Sequence, residues 1–287
     1  MPRNIVRYLN KQAWMNEVPD IDTMTLTDII WPGAHNCGMD KKPPNYEVVI
    51  GHWTSCQNDT FSWQLAQGVR AFDIRLGYKP GHDQDIFYFH HNGLESHRVL
   101  DELIDAVLAF LEHNPNEFMV LDFHVLAGGK YAFDYKKFNA LLLRRLGHKA
   151  IPFSHSRRSI GQLKQASAHR RLVLAAHGPD DLDETTFWPR VVHKWSDKAF
   201  TDTDDLRSHI ANTLSAEHSG DFLWSLSATS YSFFGGPVDI KNAINDWFHQ
   251  SRDWVSRCCI INTDFVEESE IVRYCWIANS MKAVSMR

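Results

Sequence analysis

Six apolar runs along the chain each close on a polar or ionisable residue. They cover residues 29–36, 69–75, 86–91, 118–124, 172–177 and 260–264, and they deliver His35-Asn36, Arg75, His90-His91, His124, His177 and Asp264. Short apolar runs bounded by turn residues read as buried strands. Between them the spacing turns helical. Val99, Leu100, Leu103, Ile104, Val107, Leu108 and Leu111 recur at three and four, which predicts a helix over 96–112 with Ser96 as N-cap. Helices are also expected at 60–67 (closed by Gly68), 135–146 (closed by Gly147), 203–214, 238–248 and 267–279. Weaker strands are expected near Val191 and at 222–226, with 178–200 too irregular to assign. Residues 10–22 read as a polar entry segment. Strands separated by helical stretches imply a parallel sheet. Seven or eight of them in 287 residues suit an α/β fold closed, or nearly closed, into a barrel. No repeat or linker divides the chain, so one domain spanning 1–287 is expected.

In such a barrel the catalytic groups sit where strands end and loops begin. One rim would then carry several histidines, an arginine and an aspartate, which suits acid–base work on an anionic substrate. His35 follows a Pro-Gly turn; a bond to a turn carbonyl would equally explain it. Asp73 and Arg75 are two apart and share a strand face, as a plain interior ion pair also would. His90 and His91 point to opposite faces, so at most one enters a site. Asp264 could equally cap the following helix.

Composition narrows the field. A net charge of −5 and a pI near 6.3 exclude the basic footprint of a nucleic-acid binder. Five cysteines without regular spacing make neither a disulfide framework nor a zinc ribbon. Neither an N-terminal apolar leader nor a run of membrane-spanning length is present, so the chain as written is expected to be soluble and cytoplasmic.

These residues also resemble a known family. Trp31-Pro32-Gly33-Ala34-His35-Asn36-Cys37-Gly38 is similar to the Pro-Gly-Thr-His-Asp-Ser box of phosphatidylinositol-specific phospholipases C. Cys56-Gln57 with residues 64–75 resembles the second box, and His90-His91-Asn92-Gly93 the His-Gly box. Residues 118–123 resemble the family's fourth strand. Thr263-Asp264-Phe265-Val266 and the helix after it resemble the C-terminal strand and helix. The boxes occur in order over nearly the whole chain and match the small bacterial or X-domain-only type.

The resemblance implies a distorted, incomplete TIM barrel and a phospholipase C-type phosphodiesterase in which the inositol 2-hydroxyl attacks phosphorus. It makes His35 the base, Asp264 its orienting carboxylate, His91 the acid and Arg75 the phosphate clamp, with Asn36 beside them. Asp73, His124, His177 and Asp197 fall at head-group positions. Asn36 replaces an Asp that pairs with the acid, and Ala199 replaces a ring-stacking Tyr, so the head-group pocket is altered. Trp53 falls where the bacterial enzymes expose a membrane-inserting Trp. Phe233 and Phe234, in the rim loop 231–237 beside Gly235-Gly236, suit a segment that dips into lipid, although ordinary burial would equally explain these aromatics. No metal is implied, because Arg75 stands where calcium-dependent members carry a carboxylate; the alternative is Ca2+ on Asn36 and Asp73. The expected partner is a phospholipid or membrane surface, bound peripherally by a monomer. The rival functions are a non-catalytic lipid or sugar-phosphate binder and a metal-dependent glycerophosphodiester-type phosphodiesterase.

Overall fold

The computed structural model describes residues 8–45, 51–82, 84–179, 181–198, 200–216, 220–232 and 236–286. Its strands are β1 (Trp31–Ala34), β2 (Ala71–Lys79), β3 (Ile86–His91), β4 (Leu94–Val99), β5 (Met119–Leu126), β6 (Leu172–Ala176), β7 (Phe187–Trp188), β8 (Val192–Lys194), β9 (Trp224–Ser227), β10 (Ser230–Ser232), β11 (Gly236–Val238) and β12 (Ile260–Thr263). Its helices are α1 (Gly51–Thr54), α2 (Phe61–Ala66), α3 (Leu100–His113), α4 (Tyr135–Leu146), α5 (Ile160–Ala166), α6 (Thr203–Ser215), α7 (Lys241–Trp247) and α8 (Ile271–Ser285).

Eight strands run parallel in the order β7-β6-β5-β2-β1-β12-β9-β8. Among the described residues β7 and β8 do not pair, so the sheet curls without closing. This is the distorted, incomplete TIM barrel. Strands β1, β6, β9 and β12 are buried along their whole length, as expected where helices cover the outside and side chains fill the inside. Among the described residues no helix is long and apolar enough to cross a membrane.

The helix expected from Ser96 begins only at Leu100. Residues 94–99 are β4, which folds back antiparallel on β3 with His91 opposite Leu94. Asn92 and Gly93 between them both have positive φ, 49° and 84°, the two-residue turn that an Asn-Gly pair favours. Ser96 caps nothing; its hydroxyl donates to the Gly38 carbonyl at 2.8 Å. The expected helix at 238–248 loses its first turn to β11, and the last helix starts later and runs further than expected.

The amino ends of the strands are tied by a buried ion pair. Arg70 Nε donates to Glu117 Oε2 at 2.8 Å, and both side chains are fully buried. The other four guanidinium N–H groups meet the carbonyls of Leu65, Val69, Lys11 and Gln12, so all five donors are used. The remaining Glu117 oxygen accepts from the Met15 N–H. The entry segment is therefore no loose tail: Trp14 and Met15 are buried, and Trp14 donates to the Gly68 carbonyl. At the same end Asn279 of α8 brackets Ile30 through both its backbone N–H and its C=O. Removing one partner of a buried ion pair leaves an uncompensated charge, at a cost of about 3–5 kcal/mol. Glu117→Ala should lose about that much unfolding free energy in urea titrations; a loss below about 1 kcal/mol would mean the pair is incidental.

Candidate functional site

Three ionisable residues share one backbone device, two of them after the parallel strands β1 and β12 and the third at the end of β3, which runs antiparallel to β2. His35, His91 and Asp264 are each followed by a residue in the left-handed region: Asn36 at φ 41°, Asn92 at φ 49° and Phe265 at φ 47°. Asn tolerates this region, while Phe there is uncommon and held by its surroundings. The chain leaves the sheet at once, and the preceding side chain stays at the barrel mouth. Gln57 fixes two of these ends together. Its Nε2 donates to the His35 and Thr263 carbonyls at 2.9 and 3.0 Å. The pairing of β1 with β12 is equally tight: a Cβ on Gly33 would lie 2.2 Å from Asn262 Oδ1.

His35 sits at the centre. Its Nδ1 shares a 2.8 Å hydrogen bond with Asp264 Oδ1, and its Nε2 lies 3.0 Å from Arg75 Nη2. A guanidinium only donates, so Nε2 is the acceptor and Nδ1 carries the proton given to Asp264. Arg75 also grips Asp73, Nε to Oδ1 at 3.2 Å and Nη2 to Oδ2 at 2.9 Å. Burial, the largest single influence, would raise the Asp73 carboxyl, but the Arg75 charge and hydrogen bond, with His124 and His35, together outweigh it and hold Asp73 well below the usual range. Burial raises Asp264, with the His35 contact opposing.

A cavity of about 790 Å3 opens over this group, lined by His35, Arg75, His91, His124, His193 and Tyr231 among others. His91 faces it. His90 turns away, with its Nε2 2.6 Å from the Ala127 carbonyl. Burial, then the nearby His35 and Arg75, lowers His91 to about 3. Asn36 lies beneath, fully buried, with neither side-chain oxygen nor nitrogen partnered; its N–H donates to Asp73 Oδ2. Trp53, Trp195 and Phe200 stand exposed at the mouth.

His124 lines the cavity, whereas His177 and Asp197 are exposed and outside its wall. Phe233 and Phe234 lie outside the described residues. Sequence reasoning did not single out His193, whose ring centroid is 4.6 Å from that of His124 and whose Nδ1 lies 2.6 Å from Ser225 Oγ. The available signal was the alternation Ser225, Ser227, Thr229, a polar inner face on a short strand. Tyr231, read only as part of a rim loop, puts its hydroxyl 3.4 Å from both ring nitrogens of His35. The β10–β11 hairpin that carries it is pinned at Gly236, whose φ is +65° and where a Cβ would lie 2.3 Å from the Trp53 carbonyl. Asp122, in register with Asp73 on the next strand, is buried with one unpartnered oxygen, and burial, then Asp73, pushes its carboxyl well up.

The residues present do not compose a calcium site. Such an ion needs six to eight converging oxygens. Both Asp73 oxygens are bound by Arg75, and His124 supplies no oxygen. The five cysteines are free and buried, so Cys37 and Cys56 form no bridge.

No family model matches the chain. PI-PLC X domain-containing protein 2 of Mus musculus is 27% identical over 300 residues, covering 88% of this chain and 83% of that protein. Its Homo sapiens counterpart is 31% identical over 163 residues, 48% of this chain and 51% of that protein. Among solved structures, the phosphatidylinositol-specific phospholipase C from Listeria monocytogenes superposes with a TM-score of 0.70 at 16% identity, covering 94% of this chain and 98% of that one. The homologues of this chain are thus proteins of the PI-PLC X-domain type, and its fold is that of the bacterial phospholipase.

The cavity histidines make stability depend on pH in a defined direction. His91 and His193 are held neutral down to about 3, burial being the main cause in both, against 6.5 for free histidine. Between these values the unfolded chain binds more protons, so stability falls with acid, by up to about 1.4 kcal/mol per pH unit for each. His193→Asn should flatten the dependence of unfolding free energy between pH 6.5 and about 3. Equal slopes for the two proteins would contradict the burial of a neutral imidazole.

Proposed function

We propose that the chain is a phosphodiesterase of the phospholipase C type, cleaving an inositol phospholipid at a membrane surface without a metal cofactor. The observation that carries the reading is His35 held at the cavity wall between Asp264 and Arg75, with its Nε2 lone pair on the Arg75 Nη2 donor and a second histidine, His91, lining the same cavity. A binder has no need of an oriented base backed by a carboxylate.

In this reading the substrate phosphate enters beside Arg75 and takes over the Nη2 donor now spent on His35. The inositol 2-hydroxyl then occupies the vacated place at Nε2. His35 removes its proton as the oxygen attacks phosphorus, and Asp264 stabilises the imidazolium, much as a buried aspartate does beside other histidine bases. Arg75 stays fixed by Asp73, so its forked donors are aimed before the charge develops. His91 protonates the departing glycerol oxygen, giving a diacylglycerol and a cyclic phosphodiester. Burial, then the nearby His35 and Arg75, keeps His91 neutral, and a bound anion favours its cationic form, so the acid is charged by the substrate it serves. The aromatic mouth formed by Trp53, Trp195 and Phe200 suits a lipid interface.

Release of the head group from phosphatidylinositol vesicles in EDTA is the test. His35→Ala and His91→Ala should each lose at least ~10²-fold in rate, with melting temperatures near that of the parent. Loss of all activity on chelation with rescue by calcium, or full activity in either variant, would overturn the reading.

A further inference from the structure

Cys56 has no part in the chemistry above, yet it lies against its centre. Its backbone ties two rim segments together: the N–H donates to the Met39 carbonyl at 2.7 Å and the C=O accepts from the Phe265 N–H at 2.8 Å. Its side chain is fully buried. Cys56 Sγ, a ring nitrogen of His35 and a carboxylate oxygen of Asp264 all lie within 4.8 Å of one another. The Asp264 side chain is only 3% exposed; its Oδ2 meets no nitrogen or oxygen donor, and the Cys56 thiol also hydrogen-bonds to the carboxylate. The Tyr231 hydroxyl, 3.4 Å from His35 Nδ1, approaches the same group. One thiol, one imidazole and one carboxylate, with a hydroxyl or water completing four, are the donors of a tetrahedral zinc site.

We propose that Cys56, His35 and Asp264 form an inhibitory site for a thiophilic divalent cation, of which Zn2+ is the type. Hard cations are excluded by the donor set, since sulfur and imidazole suit zinc and not calcium or magnesium. The ion displaces one proton, that of Cys56 Sγ, which leaves to solvent. The His35 proton moves from Nδ1, which becomes the ligand, to Nε2, so the imidazole stays neutral, gives up its contact with Arg75 Nη2, and no covalent bond to carbon changes. Burial and the Asp264 charge hold the thiol protonated in the free protein, but a coordinating metal removes that proton outright. The charges then match locally: a thiolate and a carboxylate oppose the dication, while Arg75 remains neutralised by Asp73. Entry is from the cavity, because His35 lines it. With the ion in place His35 carries its proton on Nε2 and has lost its orienting carboxylate, so it cannot accept another proton. Inhibition rests on the phosphodiesterase reading; binding does not.

The test uses the full chain, stripped of metal and with thiols reduced. Zn2+ is titrated against a chromophoric chelator, and Co2+ is added in its place to look for the thiolate-to-cobalt charge-transfer band. Cys56→Ser and Cys56→Ala are compared, with melting temperature as the check on folding. The other four cysteines stay in every variant, so any zinc they hold is common to all. The account expects a cobalt–thiolate band in the parent, its loss in both variants, and zinc affinity weakened by more than ~100-fold, beyond what losing an outer-shell partner costs. It also expects Zn2+ to block alkylation of Cys56, and to stop head-group release reversibly in the parent at concentrations that spare the variants. A parent without the band, or variants that bind zinc as the parent does, would overturn the site. Cys56-dependent binding in a protein that never cleaves lipid would instead leave the site standing and sink the phosphodiesterase reading.

Discussion

The forked ion pair between Arg75 and Asp73 governs the rest of the site. It places a fixed positive charge at the cavity wall and cancels it from below, so Arg75 is held without a metal and without a flexible search for its partner. The same guanidinium determines which nitrogen of His35 is free, since Nε2 must accept from Nη2 while Nδ1 gives its proton to Asp264. It also helps keep His91, His124 and His193 neutral. A lysine would supply the charge and lose both the fork and the tautomer control.

The barrel's task is to bring the ends of β1, β2, β5, β8 and β12 to one mouth at fixed height. Register does this: Gly33 opposes Asn262, Ala34 opposes Thr263, and Asp73 opposes Asp122. Left-handed residues directly after His35, His91 and Asp264 then stop each strand where its functional side chain is. Gln57 above and Asn279 below lock β1 from both ends. The cost is visible as Phe265 in a conformation few aromatic residues adopt.

Much of this was legible in the chain because apolar runs closing on polar residues mark strands that reach the barrel mouth, although β2 and β5 run on past Arg75 and His124 to Lys79 and Leu126. The run ending at His124 placed that residue on the cavity wall, and the opposed faces of His90 and His91 correctly implied that the two part ways. The same rule over-reached at residue 177, since β6 ends at Ala176 and His177 is exposed outside the cavity wall. His193 escaped because β8 has three residues, too few for a period to show. The helix drawn back to Ser96 ignored a stronger local signal, the Asn-Gly turn. Contacts such as Arg70 with Glu117, 47 residues apart, leave no local trace at all. Nor does the meeting of Cys56 with Asp264, which only the closed arrangement of β1 and β12 creates.

The central claim is that His35, oriented by Asp264 and Arg75, lets a neighbouring hydroxyl displace the lipid alcohol from phosphorus with no metal. Phosphorus NMR of the water-soluble product from phosphatidylinositol vesicles, run in EDTA, tests it most directly. The account predicts that the first product to accumulate is a five-membered cyclic phosphodiester of inositol. A linear phosphomonoester appearing with no cyclic precursor, or a product formed only when calcium is restored, would contradict it.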